Sequence, residues 1–464
     1  MIKKLSFALS LATFALSAHA QDELSLQLNG FVDSYHALQL SSHDPRIGRA
    51  SPFKEKDMIK NSIFMLLSAA LALSVHAQED ELSLQLNGFV DSYHALQIQH
   101  PHKIMSSRTR LRLEMRADYG EASLYSSMNL AYNSLLKDQS GAFLREAYFD
   151  YAGKYLELKL GRQIITWGVA DGLRITDLIS PMDYTEFMAN DYDDIRVPVN
   201  AINLKYPGES FSAEVVFVPV PEFFVIPSGE DNPWSTPLPP NTSMDLSGTP
   251  EKRIKNSEVG GRLRFFLENF DFSLTALRTF NKSPVTIATY NPETENVVIK
   301  GIYEPMNVFG GDISIPAGEL VIRVEMATYF GEPIALRNSS DYMLKKTFNG
   351  LIGFDWYAGN NWTFMAQYMH KFIIEHTESL GMEENTSMLT ARISKEILNN
   401  TLKLSVYGMF DVDNVGFYIR AAGDYLLSDQ ITLSLGSDWL GGRRGTFKTY
   451  KKNSQIWAKG KFFF

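Results

Sequence analysis

The chain has 464 residues, 45% of them hydrophobic and 12% aromatic, with no cysteine and a formal net charge of −9. This composition excludes a disordered chain. The absence of Cys excludes disulfides, thiolate metal sites and cysteine nucleophiles, and the acidic balance without a dominant basic stripe argues against a nucleic-acid partner.

The chain opens with Met1-Ile2-Lys3-Lys4, an apolar run from Leu5 to Ser17, and Ala18-His19-Ala20 before Gln21. This is the layout of a secretion signal. The layout returns at Met58-Ile59-Lys60, an apolar run from Ile63 to Leu73, and Val75-His76-Ala77 before Gln78. Both runs are too short to span a bilayer comfortably, and no other apolar run is long enough for a membrane helix. Each signal is followed by DELSLQLNGFVDSYHALQ, first at Asp22–Gln39 and again at Asp80–Gln97. Only the second copy leads directly into further strand pattern. The first leads into the polar stretch Leu40–Asp57 and a fresh Met58. The expected organisation is therefore a duplicated or fused leader over residues 1–57 (signal 1–20), a second signal over 58–77, and one mature domain over 78–464. A real tandem strand is disfavoured because an extra strand would remain unpaired.

From there the hydrophobic period is two. In the repeat, Leu82, Leu84, Leu86, Gly88 and Val90 alternate with Ser83, Gln85, Asn87, Phe89 and Asp91. In RTRLRLEMRADY, Arg108, Arg110, Arg112, Glu114, Arg116 and Asp118 share one face, while Thr109, Leu111, Leu113, Met115, Ala117 and Tyr119 share the other. Such alternation predicts strands with one polar and one apolar face. The same code recurs over 402–413, 417–425 and 431–436.

Turn signals fall at 119–121, 152–154, 207–209, 268–270, 316–318, 359–361, 399–400 and 428–430, with mostly longer connections between them, the longest near 168–196, 219–256 and 281–304. Short turns on one side and long loops on the other, joined by strands of about ten residues or more, predict an all-β transmembrane antiparallel up-and-down barrel with its apolar face to lipid. Counting strands between turns gives 18, with 16 as the alternative. The hairpin over 285–303 is expected to extend a loop rather than cross.

Two resemblances accompany this pattern. QIWAKGKFFF, ending at Phe464, resembles the terminal strand of bacterial outer-membrane proteins, which implies recognition by the barrel-assembly machinery. Glu146-Ala147-Tyr148, then Gly161-Arg162-Gln163, then Trp167-Gly168, then Asp177 with Pro181 resemble a family of largely uncharacterised bacterial outer-membrane porin-like barrels. The resemblance runs from about Leu82 to Phe464, and residues 1–57 fall outside it. It implies an outer-membrane location, contact with outer-membrane lipid, and a loop folded inward after the W-G turn. It names no substrate.

The lumen face then carries the chemistry. Arg108, Arg110, Arg112 and Arg116 would attract anions, or else pair with lumen carboxylates such as Glu114 and Glu146 and fill space. The loop after Trp167 carries Asp171, Asp177, Asp183, Glu186, Asp191, Asp193 and Asp194. It reads first as a solvated acidic loop, second as a constriction facing the arginine wall, third as a calcium site, although its spacing does not match an EF-hand. The Pro-rich segment 219–256, with Phe223, Phe224 and Trp234, reads first as an exposed loop and second as a plug or carbohydrate platform folded into the mouth. A lipase would need Ser and His together on the outer face, and the sequence sets no Ser beside His370. The histidines show no metal-binding spacing.

The function expected is a porin or channel for passive, weakly selective diffusion of small polar or anionic solutes, with no enzymatic activity and no cofactor. The alternative is a non-conducting structural or adhesive barrel, with an outer-membrane hydrolase behind it. A homo-oligomer is compatible with this reading. N-terminal sequencing of the mature protein should begin at Gln78. A start at Gln21 would retain the second apolar run and overturn the assignment of residues 1–57.

Overall fold

The computed structural model describes residues 82–292 and 296–464. The first copy of the repeat and both signal-like segments lie outside the described residues. The strands are β1 (Ser83–Gln97), β2 (Ile104–Tyr119), β3 (Ala122–Asn133), β4 (Gly141–Ala152), β5 (Glu157–Gln163), β6 (Val199–Pro207), β7 (Phe211–Val218), β8 (Thr242–Asp245), β9 (Glu258–Phe266), β10 (Asp271–Phe280), β11 (Val285–Asn291) and β12 (Asn296–Ile302). They continue as β13 (Pro305–Ala317), β14 (Leu320–Ala335), β15 (Tyr342–Trp356), β16 (Trp362–Ile374), β17 (Asn385–Ile397), β18 (Leu402–Asp411), β19 (Gly416–Ser428), β20 (Ile431–Gly442) and β21 (Gln455–Phe463).

Eighteen of these form one antiparallel sheet in which each strand pairs with its neighbours along the chain. The sheet closes because β21 pairs with β1, from Phe89↔Phe463 to Gln97↔Gln455, and the Gly88 and Phe464 backbones exchange bonds of 3.0 and 3.1 Å. Closure leaves no open edge, the condition for a sheet to sit in lipid. The remaining three strands, β8, β11 and β12, form a small separate sheet. The hairpin over 285–303 thus belongs to the loops, as expected, and the strand count is 18. All eight expected tight turns join consecutive strands on one end of the barrel, the turn side.

The outer surface carries the apolar parity. Leu84, Leu86, Leu274, Ile352, Val406 and Leu435 are all exposed, a belt that water would not tolerate at this extent and that lipid requires. Tyr206, Phe211, Phe270, Trp356 and Trp362 stand exposed near the turn side, where an interfacial aromatic girdle belongs. Among the described residues no helix is long and apolar enough to cross a membrane. The protein is an outer-membrane-type barrel whose strands do the crossing.

The interior departs from simple alternation. On β2 the inward side is polar, with Arg108, Arg110 and Arg112 buried. On β7, β10, β13, β14 and β15 the inward residues are polar toward the turn side (Ser212, Ser273, Asp312, Asp355) but apolar farther along (Val216, Val218, Leu277, Val308, Ala327, Leu351), and all of these are buried. This inner apolar wall is the seat of a loop. Replacing lipid-facing Leu435 by Arg should cost about 2–4 kcal/mol if the site lies near the bilayer midplane, measured by reversible unfolding from vesicles. An equal cost for Thr432→Arg on the opposite parity would overturn the facing assigned here.

Candidate functional site

The site is built from the β5–β6 loop, residues 164–198, which turns into the lumen. It leaves the wall where the Ile164 N–H donates to Glu146 (2.8 Å). Trp167, 2% exposed, lies within a cluster that includes Leu277, Val216 and Val218, and its indole N–H donates to Glu214 (3.2 Å). Gly168 follows with φ of +86°, and a Cβ there would lie 2.5 Å from Glu325 Oε1. Glycine is therefore required twice over, for the backbone angle and for the approach.

That approach creates the central contact. Glu325 of β14, fully buried, accepts the Val169 and Ala170 N–H groups at Oε2 (2.8 and 3.0 Å). Its Oε1 accepts the Thr176 N–H and hydroxyl (2.7 and 2.8 Å). The Tyr329 hydroxyl donates to Ile175 O (2.6 Å). The Gln367 side chain accepts from the Asp171 N–H (3.0 Å) and donates to Asp171 O (2.7 Å). Ile175 and Ile179 bury themselves against the inner apolar wall. A buried carboxylate is tolerable only when donors satisfy it, and here the loop supplies four.

The second half of the loop docks on the arginine face of β2. Asp194 lies 2.9 Å from Arg110, 2.6 Å from Arg112 and 3.5 Å from Arg145. Burial alone would raise the Asp194 pKa, but attraction to Arg110, Arg112 and Arg145 outweighs it and holds the carboxyl well below its ordinary range. Asn190 accepts from Arg108 (2.8 Å), Glu186 accepts from Ser106 (2.9 Å), and Lys459 lies 3.3 Å from Asp191. Met188 and Ala189 pack with Tyr93, Trp457 and Tyr418. Following the pairing order round the ring, β14 stands half-way from β2. The loop therefore bridges the lumen, latched on one wall by Glu325 and on the opposite wall by Asp194.

Of the acidic loop residues, Asp194, Glu186 and Asp191 meet the basic wall. Asp177 instead pairs within the loop with Arg196, and Asp193 with Arg196 (3.4 Å). Asp183 caps the Thr185 N–H (2.8 Å), and Asp171 lies 3.7 Å from Arg392 on another wall. The arginines pair, but not with the partners read from sequence. Asp91 of β1 takes Arg110 (2.9 Å) and Arg108 (3.4 Å), while Glu146 holds the loop backbone instead. Arg116 pairs with Asp118 (2.8 Å) near the turn side and lies outside the site. Gln163, at the end of β5, donates to Ala201 O (3.0 Å) and secures the point where the loop departs, whereas Arg162 lines the cavity between loop and basic wall. Among the described residues no carboxylates and imidazoles group as a metal site would need.

Sequence reasoning missed Glu325, Gln367, Tyr329, Asp91 and Arg145. Glu325 had a signal: it is a lone acid in VIRVEMATYF, a segment otherwise mostly apolar on both parities. The outer face also differs from expectation. Ser387 of β17 lies opposite His370; its Oγ is 3.1 Å from His370 Nδ1, and His370 Nε2 is 3.1 Å from Asn385 Oδ1. The Ser387 N–H, however, donates to Asp413 (2.6 Å) and is not available to an oxyanion. A second polar group of Ser92, His94, Ser107 and Thr109 shares the same outer rim. Both read as interfacial hydrogen-bond clusters.

Glu325→Ala should release the loop. Bonds to a charged group are each worth about 1.5–3 kcal/mol, and the backbone donors left behind would be unsatisfied. The expected readout is protease cleavage within residues 164–198 in the folded barrel, where the parent resists. Equal resistance would show that the apolar seat alone holds the loop.

Among solved structures, the chain is similar to the outer membrane protein OpdK of Pseudomonas aeruginosa (TM-score 0.49, 8% identity, covering 82% of this chain and 99% of that one). It is similar too to an anion-selective porin from Comamonas acidovorans (TM-score 0.43, 14% identity, 83% and 100%) and to the outer membrane channel DcaP of Acinetobacter baumannii (TM-score 0.44, 10% identity, 83% and 98%). No curated protein matches the chain. One family model matches residues 1–439, beginning well before Leu82 and so taking in residues 1–57, which the sequence resemblance left out. The chain belongs to that family, DUF1302, described as proteins of unknown function.

Proposed function

We propose that the protein is a bacterial outer-membrane channel for passive diffusion of small solutes, narrowed at mid-lumen by the latched loop. The observation that carries this reading is the loop itself: a closed barrel with an inward loop fixed to opposite walls is the arrangement of a pore with a built constriction. Contact with lipid, insertion by the barrel-assembly machinery through the Phe464 strand, and assembly into a homo-oligomer belong to the same proposal.

Selectivity follows from charge balance. Arg108, Arg110, Arg112 and Arg145 face two directly paired carboxylates, Asp91 and Asp194. Arg108, Arg110, Arg145, Arg162 and Arg196 border a cavity of about 270 Å³ between loop and wall. Glu186 and Asp183 border it as well. The guanidinium surplus supports a preference for anions, and the extensive pairing supports a weak one. Because the loop carboxylate at Asp194 has a depressed pKa, its docking contribution is present above the ordinary carboxylate pKa and is lost only as pH falls through the lowered value.

Planar-bilayer recordings of the purified barrel should show open steps, and silence at every salt and voltage would favour the structural or adhesive alternative. In a salt gradient, Arg110→Ser with Arg112→Ser should move the reversal potential toward cations, and Asp194→Asn should move it toward anions. Shifts in neither direction would leave the basic wall with a packing role only. We infer no hydrolase activity from the outer-face cluster: a fluorophosphonate probe should leave Ser387 unlabelled, and labelling lost in Ser387→Ala would reverse that inference.

A further inference from the structure

On the loop side of the constriction lies a cavity of about 500 Å³, within the range that holds small organic ligands. A lumen built only for polar solutes would be lined by polar groups. This one is not. Leu173 and Leu178 of the loop, Phe224 of the next loop, and Met306, Met369 and Met388 of the wall all line it. Met369 and Met388 are inward residues of adjacent strands and pack against the same cluster that seats the loop. Methionine-lined surfaces adapt to apolar bodies of different shape.

Into this cavity the loop delivers one incompletely used cation. Arg174 lines it, and its side chain is 10% exposed. Its Nε donates to Asp177 O (2.6 Å) and Nη2 to Ser180 O (2.6 Å), so the guanidinium plane is fixed by the backbone. Its Nη1 is buried and has no hydrogen-bond partner among the described residues. Buried donors of this kind call for an acceptor. The Arg174 guanidinium also lies 5.4 Å from the Phe224 ring centroid, which places the charge beside an aromatic face. Asp177 lies 3.6 Å from Arg174 Nε but is engaged more closely by Arg196.

The other charged groups restrict the ligand. Lys282 gives its ammonium to Glu258 (2.6 and 2.8 Å) and Glu222 O (3.1 Å). Lys371 pairs with Glu332 (2.6 Å). Glu332, already paired with Lys371, and Asp411, which has no ion pair among the described residues, both border the cavity, so the second charge of a dianion would meet Asp411, while a single carboxylate has one spare donor in Arg174 Nη1. We propose that this cavity binds amphipathic organic monocarboxylates, the carboxylate at Arg174 and the apolar body against Met306, Met369 and Met388. The proposal rests on the channel reading, for which it names the solute class.

Equilibrium binding to the full-length barrel in lipid nanodiscs tests it, using phenylpropionate, acetate, phenylpropanol and phenylpropylamine as probes. Phenylpropionate should bind at least about tenfold more tightly than each of the other three, a difference of about 1.4 kcal/mol. Arg174→Met should remove the preference for the acid over the alcohol. Met369→Gln with Met388→Gln, which touches no latch hydrogen bond, should weaken phenylpropionate binding while acid still exceeds alcohol. Equal binding of acid, alcohol and amine, or no binding at all, overturns the proposal. Bilayer recordings of the same preparation separate the two readings. Open steps without acid selectivity overturn the site and leave the channel standing, whereas selective binding without open steps supports the site and removes the channel.

Discussion

Backbone hydrogen bonding in lipid is the constraint on which the structure depends. A strand crossing hydrocarbon cannot leave its N–H and C=O groups unpaired, so the sheet must close. The pairing of β21 with β1 and the exchange between Gly88 and Phe464 accomplish that. Closure fixes the parity of every strand at once: whatever faces lipid must be apolar, and whatever faces inward shares an enclosed space with residues from half-way round the ring.

That shared space explains the inner apolar wall. Inward Val216, Val308, Ala327 and Leu351 would be poor lining for a water-filled tube. They are buried because Trp167, Ile175 and Ile179 cover them. The loop in turn cannot lie there unless its own backbone is satisfied, and Glu325, Gln367 and Tyr329 meet that need from the wall. Apolar seating and polar latching are thus two halves of one arrangement. Neither has a purpose on a lumen without the loop.

The opposite wall follows a different logic. Arg108, Arg110 and Arg112 bring like charges close together on one strand face, which is costly without counter-charge. Asp91 supplies part of it from the neighbouring strand, and Asp194 supplies more from the loop. The same contacts that neutralise the wall set the position of the loop, so the charge of that wall and the path of the loop are tied to one cluster of residues.

The strand pattern, the 18 crossings, the turn positions and the sidedness of β1 and β2 were legible because strand periodicity is local: neighbouring side chains point to opposite faces whatever the rest of the chain does. The inward fold of the loop after Trp167-Gly168 was legible only through resemblance. What the acidic residues touch was not legible. Asp177 and Asp194 differ little in their sequence surroundings, yet one closes on its own loop and the other on the far wall. Glu325 stood in an apolar segment with nothing nearby in sequence to satisfy it, because its partners lie some 150 residues away. Ser387 and His370 met on the outer face through strand register alone. Sequence determined which residues face lipid and which face the lumen where the alternation is clean, as on β1 and β2. Tertiary structure decided which lumen residues meet, because contacts across a closed ring depend on strand order and on the path of one loop.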